Sequence, residues 1–368
     1  MKVLLITRHS VPNYGSLLQT IATTMAIENL NCTCEIINYV RKDEKANNIC
    51  LALLKRNKKW NRNIFRKLIF ILYNGINYQM MYRIFYIKNR HLLKNKTEEY
   101  NSLEGLTANP PKGDVYCSGS DQLWGSIGSS EYDPAYFLNF VPSDKKCISY
   151  ASSFGSDVVN KNLICNLPML LGNYKHISVR EKSAQDILNG ANIDSKLVLD
   201  PTFLIDRQRW INVFKLKKRK EKYILVYQLH NNKNFDNYVK KLSATKQLKI
   251  HRITSTLYNI TKKGKIHYLP KASDFLELIY NAEYIVTDSF HGTVFSIIFN
   301  KTFLSVNPGV TSTRIECLLQ LFNIKDRLLK NYNDLDNIDY NINWNSVNKL
   351  VYDLREQSID WLKNSIYK

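Results

Sequence analysis

The sequence predicts an α/β protein of two Rossmann-like domains facing a cleft, with a basic helical insert in the first domain and a helical C-terminal tail. Three observations predict it. Short apolar runs alternate with helical patterns and polar loops from residue 2 to about residue 330, the signature of parallel βαβ units. The alternation restarts after a basic run, KLKKRKEK (215–222), which reads as a linker between two sets. The chain has 368 residues, and domains commonly hold about 100–200. The boundaries that follow are 1–210, with the insert at 41–96, then 220–330, then 331–368 for the tail.

KVLLIT (2–7) reads as a buried first strand rather than a clipped signal peptide, because no small-residue cleavage site follows. RHSVPNYGS is a turn-rich loop. From Ser16, a candidate N-cap, LLQTIATTMAIENL carries apolar residues at helical spacing. CEIINYV (34–40) is the second strand. Residues 41–96 hold fifteen Lys and Arg against only Asp43 and Glu44, interleaved with residues such as Phe65, Leu72 and Met80. That pattern predicts basic amphipathic helices, and no uninterrupted apolar stretch there is long enough to span a bilayer.

DVYCSGSDQLW (114–124), CISYASSFGS (147–156) and HISVREKSAQDIL (176–188) each begin as a strand and run into polar residues. KLVLDPTFLI (196–205) is a strand broken at Asp200-Pro201, where the chain leaves the first domain. The second set is YILVYQL (223–229), LKIHRIT (248–254), KIHYLP (265–270), the helix SDFLELIYNA (273–282), the strand YIVTD (284–288), the helix TVFSIIFN (293–300) and the strand TFLSVN (302–307). From Ser312 onward the chain reads as largely helical.

The apolar share of 44% suffices for real cores and argues against wholesale disorder. A net charge of +20 favours acidic partners: nucleic acid, an anionic membrane face, or a phosphorylated or carboxylated substrate. Nucleic acid is set aside, because no binding signature is present and the excess charge sits mainly in one segment. Seven cysteines, an odd number with no CxxC pair, argue against a disulfide framework or a zinc site. They read as buried free thiols in a reducing cytoplasm.

In open parallel sheets, ligands sit beyond the carboxyl ends of the strands. The polar clusters fall there. TDSFHGTVFSIIFN (287–300) is the sharpest: a strand ends at Asp288, Ser289 and Phe290 lead to His291, Gly292 lets the backbone approach a ligand, and a helix starts at about Thr293. A helix start attracts anions, and a histidine beside it can move a proton near neutral pH. The bland alternative is a histidine capping a turn. At the first corner, Asn13, Tyr14, Gly15, Ser16 and Gln19 either hold a phosphate or sugar hydroxyl through backbone N–H groups or simply start a helix. Ser120, Asp121, Gln122 and Trp124 either grip a sugar by hydrogen bonds and ring stacking or supply a capping Asp and a core Trp. Arg180 either clamps an anion or pairs with Glu181 or Asp200, and Arg314 has a similar but weaker case.

Taken in order, NYGSLLQ, GSDQLW, SYASSFG, SVREKSA, LDPTFL, TDSFHGTVFSIIFNKTF and STRIECLL resemble the polysaccharide pyruvyl transferase family, from about residue 2 to residue 330. The resemblance implies a GT-B-like pair of domains. It also implies transfer of pyruvyl from phosphoenolpyruvate, a co-substrate, onto two hydroxyls of one sugar, with no cofactor and no metal. The setting implied is exopolysaccharide or capsule biosynthesis for the cell envelope, on a lipid-linked oligosaccharide acceptor. His291 is then the general acid, with Asp288 beside it, and Arg180 matches a donor-binding arginine. The family carries Arg-Leu-His-Gly where this chain has Ser289-Phe290-His291-Gly292. An arginine expected at the donor is therefore absent: either Arg314, a lysine or the helix start at Thr293 replaces it, or the donor is not phosphoenolpyruvate. The other readings are a GT-B-type glycosyltransferase using a nucleotide sugar and a non-catalytic carbohydrate-binding relative. The basic insert fits a cytoplasmic enzyme peripheral to the inner membrane face, or a solvated helical lobe.

Overall fold

The run KVLLI becomes strand β1 (Lys2–Ile6) in the computed structural model, which describes residues 1–57, 59–126, 132–307 and 314–368. It is followed by β2 (Thr33–Tyr39), β3 (Lys96–Tyr100), β4 (Val115–Ser118), β5 (Asp121–Gln122), β6 (Lys146–Ser149), β7 (Ser152–Ser153), β8 (Tyr174–His176), β9 (Ser178–Val179) and β10 (Lys196–Leu197). Six of these form a parallel sheet in the order β3-β2-β1-β4-β6-β8. Both faces of β1 are covered. Val3 and Leu5 join a core with Cys34, Cys117 and Ile148, whereas Leu4 and Ile6 join another with Ile37, Tyr116 and Leu123. A strand buried on both sides has no polar alternation, which is why its sequence is a continuous apolar run.

The strands β4, β6 and β8 do not stop at the sheet edge. After a break of one or two residues they resume as β5, β7 and β9, which with β10 form a second parallel sheet, β10-β9-β7-β5. Two of the three breaks carry a positive backbone angle, at Ala151 (φ 55°) between β6 and β7 and at Asp121 (φ 89°), the first residue of β5. Such residues cost about 1–3 kcal/mol each and persist only where their surroundings hold them.

Helices α1 (Tyr14–Glu28), α2 (Ile49–Arg56), α3 (Ile64–Asn89), α4 (Leu103–Ala108), α5 (Lys161–Leu171) and α6 (Lys182–Gly190) complete this part of the chain. Asn13, rather than Ser16, is the N-cap of α1: its side chain accepts from the N–H groups of Gly15 and Ser16. The basic segment is helical as expected, with α2 and α3 packed together through Cys50, Leu54 and Phe70. The expected buried thiols are so for five cysteines, but Cys165 is exposed and Cys317 half-buried.

The chain divides into a unit of Met1–Leu204 with Leu354–Lys368 and a unit of Ile205–Asp353. The second unit holds α7 (Arg207–Phe214), β11 (Tyr223–Tyr227), α8 (Lys233–Lys246), β12 (Lys249–Thr254), β13 (Lys265–Tyr268), α9 (Ala272–Asn281), β14 (Tyr284–Thr287), α10 (Phe290–Ile298), β15 (Thr302–Ser305) and α11 (Arg314–Leu321). Its sheet is parallel throughout, in the order β13-β12-β11-β14-β15. The basic run 215–222 is not a linker but part of this unit. Lys217 N–H donates to Glu277 (3.0 Å) and Arg219 N–H to Asn281 (2.8 Å), so the run is tied to α9. The changeover instead comes at Leu204, just after the expected break at Asp200-Pro201. Ser312, from which the chain was expected to be largely helical, lies outside the described residues.

The last helix, α12 (Trp344–Tyr367), ends in the first unit. Leu362 and Ile366 are fully buried beside Val3, Leu5 and Cys117, and Ser358 accepts from Leu199 N–H at 3.1 Å. The C-terminus is therefore core rather than tail. Leu362→Ala is expected to lower stability by about 2–5 kcal/mol, read by urea denaturation, because it empties a site between helix and sheet.

Candidate functional site

Strand β14 ends at Thr287, and Asp288 follows beyond the strand's carboxyl end. In a 3-2-1-4-5 sheet the strand order reverses between β11 and β14, which is the topological switch point. The Asp288 carboxylate is only 3% exposed. It accepts from Leu229 N–H (2.6 Å) and His230 N–H (2.8 Å), and lies 3.2 Å from His230 Nδ1. Asp288 thus joins the loop after β11 to the turn after β14. It also holds an imidazole that is 56% exposed. That hydrogen bond raises the His230 pKa above its ordinary value, while partial burial and the charge of Arg314 pull the other way.

Helix α10 begins at Phe290, earlier than the expected Thr293, because Ser289 is its N-cap. Ser289 Oγ accepts from Gly292 N–H at 3.3 Å. Thr293 is fully buried, its hydroxyl 2.7 Å from Ser305 Oγ. The Gly292 amide and the Thr293 hydroxyl are both hydrogen-bonded within the fold, to Ser289 and to Ser289 and Ser305 respectively. Gly292 has a different role from the expected one. A Cβ there would stand 2.4 Å from Thr287 Oγ1, itself fixed by donating to Tyr227 O (2.7 Å). The glycine lets the helix approach its own strand. His291 is half-buried in the first turn of α10, its ring edge-on to Phe290. The Arg314 guanidinium lies over the Phe290 ring, 5.9 Å from its centre. Asp288, Ser289, His291 and Arg314 are therefore brought together, with His230 as an added member.

In the first unit, Arg180 follows β9 and is 1% exposed. Its guanidinium donates to Asp200 (2.9 Å), Ser120 Oγ (3.2 Å) and Glu181 (3.3 Å), with Asp121 at 3.8 Å. Burial works against its charge, and Glu181, Asp200 and Asp121 outweigh that, holding the pKa above its ordinary value. Asp121 also accepts from Ser16 Oγ, and Asp200 from the amide (3.0 Å) and hydroxyl (2.6 Å) of Thr202. One guanidinium matched by three carboxylates organises loops; it is not spare positive charge for an anion. Gln122 packs against Gly155, whose φ of 75° and contact with that side chain leave no room for a Cβ.

The remaining expected contacts sit deeper. The amides of Gly15 and Ser16 are taken by Asn13. Gln19 is buried, donating to Thr7 Oγ1 and Ser16 O (both 2.9 Å), and Tyr14 packs edge-on against Phe85. Trp124 is 0% exposed and stacks on Phe137 at 5.6 Å, so neither ring face is open to a sugar. The recurrent serines have a structural explanation too. Ser149 and Ser178 exchange hydrogen bonds of 2.9–3.0 Å, and Ser178 Oγ accepts from Ala151 N–H at 3.1 Å. They stitch the break between the two sheets.

Sequence reasoning missed His230, although the strand-end rule that selected Arg180 applies equally to the residues after YILVYQL. It also missed a cavity of about 600 Å³ beyond the carboxyl ends of β1 and β2, walled on one side by α3. His9, Asn38, Glu44, Tyr82, Arg90 and Glu99 contribute to its lining. His9 Nε2 is 3.0 Å from Asn38 Oδ1, and burial lowers the His9 pKa. Among the described residues no cluster of His, Cys, Asp and Glu could hold a metal ion.

A family model described as polysaccharide pyruvyl transferase matches residues 13–309. No curated protein matches the chain. Among solved structures, the chain is similar to UDP-GlcNAc 2-epimerase from Neisseria meningitidis bound to UDP-GlcNAc. That match has 13% identity, covers 98% of this chain and 94% of that one, and has a TM-score of 0.50. UDP-GlcNAc 2-epimerase from Methanocaldococcus jannaschii is similar at 15% identity over 86% of each chain, TM-score 0.48. E. coli heptosyltransferase WaaC with ADP has 10% identity over 96% of this chain and all of that one, TM-score 0.41. The first likeness shows a shared GT-B-like fold and carries no chemistry across.

Two outcomes follow from this geometry. Gly292→Ala is expected to cost about 1–3 kcal/mol in urea denaturation, since Thr287 cannot move aside without losing its own bonds. In a histidine-ring NMR titration, His230 should titrate above about 6.5 and return towards it in Asp288→Asn. The stability this pairing adds is complete below the unfolded-state value and is lost as pH rises through the raised folded-state value.

Proposed function

The chain belongs to the polysaccharide pyruvyl transferase family and is thereby a transferase, and we propose that it moves pyruvyl from phosphoenolpyruvate onto two hydroxyls of one sugar. The acceptor in this reading is a lipid-linked oligosaccharide of surface polysaccharide assembly. One observation carries it: at the switch point of the second sheet, the turn that leads to His291 holds a buried carboxylate bonded to a protonatable imidazole, with Arg314 over Phe290.

The chemistry asks for such a grouping. Phosphoenolpyruvate carries a phosphate and a carboxylate, so its site needs cations and fixed donors. Its methylene carbon must take up a proton, which leaves an oxocarbenium-like centre at the neighbouring carbon. The first sugar hydroxyl adds there and loses its proton. The carbon–oxygen bond to phosphate then breaks, with the electron pair leaving on phosphate. The second hydroxyl closes the ring and loses its proton. One proton is thus retained in the new methyl group and one departs with phosphate, so no oxidant or reductant is required.

His291 is the proton donor in this scheme. Asp288 acts through His230, favouring its protonated form and orienting the ring towards the anionic donor. Arg314 supplies the positive charge that the family's arginine would give at Ser289, reaching the same turn by its contact with Phe290. Arg180 is assigned to the architecture of the first unit rather than to the donor. Because Ser289 stands where an arginine is expected, transfer from a nucleotide sugar is the second reading.

With phosphoenolpyruvate and a panel of oligosaccharide acceptors, phosphate release should require an acceptor. It should fall at least about 100-fold in His291→Ala. Equal release without any acceptor would count against the proposal. Thermal stabilisation by a nucleoside diphosphate, with none from phosphoenolpyruvate, would move the assignment to the second reading.

A further inference from the structure

Helix α3 has two apolar sides, and only one is covered. Phe70 and Phe85 are buried on one side. On the other, Phe65, Ile69, Leu72, Ile76, Met80 and Ile87 are 44–75% exposed. At 100° per residue these six fall within an arc of about 80°, a single stripe along the helix. Isolated exposed apolar side chains are ordinary; a continuous stripe this long is an interaction surface.

The charge around the stripe identifies what it meets. No Asp or Glu occurs anywhere between residues 45 and 96. Exposed Arg62 and Arg66 stand at one end of the stripe, and exposed Arg83 and Arg90 at the other. A second copy of the chain laid on this face would bring like charges together with no acid to pair them. An anionic bilayer surface suits both features at once. Lipid phosphates take the arginines, while the apolar stripe enters the boundary between headgroups and acyl chains. Among the described residues, no helix is long and apolar enough to cross a membrane. The fit is therefore to a helix lying in the interface plane.

We propose that α3 is a membrane-docking helix that holds this protein on anionic lipid surfaces. The inference does not depend on the donor: it rests on the outer face of α3 alone and would stand if phosphoenolpyruvate were not the substrate. The same helix walls the cavity beyond the carboxyl ends of β1 and β2.

Vesicle co-sedimentation of the full chain tests it, comparing phosphatidylcholine vesicles with vesicles containing 30% phosphatidylglycerol. The wild type should bind the anionic vesicles at least about tenfold better, and 0.5 M NaCl should reverse most of that difference. Leu72→Glu with Ile76→Glu should reduce binding more than about tenfold. Arg62→Gln with Arg66→Gln should weaken it about fivefold per charge, with thermal melting unchanged because all four side chains are exposed. Equal partition onto neutral and anionic vesicles would overturn the proposal. So would a dimer in light scattering that Leu72→Glu dissociates while vesicle binding is unaffected, which would assign the stripe to a second copy.

Discussion

One buried carboxylate organises the second unit. Asp288 uses both oxygens on the loop after β11, taking two backbone N–H groups and an imidazole. A carboxylate removed from water costs several kcal/mol unless its lone pairs are occupied, so these bonds are obligatory once the strand ends are packed. The loops after β11 and β14 therefore cannot shift independently. Ser289 is fixed as the cap of α10, and His291 is fixed within its first turn. The chemistry assigned to the turn depends on this prior constraint, because a proton donor is useful only if its position is set before substrate arrives.

The first unit solves a related problem with more groups. Its strands run through a break into a second short sheet, and each break exposes backbone groups that water cannot reach. Buried serines meet that need, with Ser149 and Ser178 bonding reciprocally across neighbouring strands. Arg180 adds a charged node that gathers Ser120, Asp121, Glu181 and Asp200. Its three carboxylates leave no surplus positive charge. A cluster that looks from sequence like a substrate clamp is, in three dimensions, the support of a kinked sheet.

The basic insert follows different physics. Its interior is small, resting on Cys50, Leu54 and Phe70, and a stripe of apolar side chains along α3 is exposed. Such a helix gains little from its own unit beyond one buried face. Its cations and its open stripe are properties of a surface that meets a partner.

Much was legible in the sequence because it depends on local spacing. The doubly covered strands, the order of elements, the helical character of 49–56 and 64–89 and the turn at 288–292 all follow from apolar periodicity and from which residues can cap or turn a chain. Asp288, His291 and Arg314 were singled out by their place after strands or at a helix start. The partners were not legible. His230 lies 58 residues from Asp288, and no local pattern shows which strand neighbours which. Trp124 reads equally as a platform or as core until Phe137 is seen against it, and Gly292 reads as a ligand contact until Thr287 is seen behind it. Helix α12 likewise gives no local sign that Leu362 and Ile366 will close the core begun by Val3 and Leu5. Secondary structure and strand ends were determined by the sequence itself, since short-range sterics and hydrogen bonding depend on nearby residues. Which polar groups are spent on the fold, and which remain for chemistry, was decided only by long-range packing.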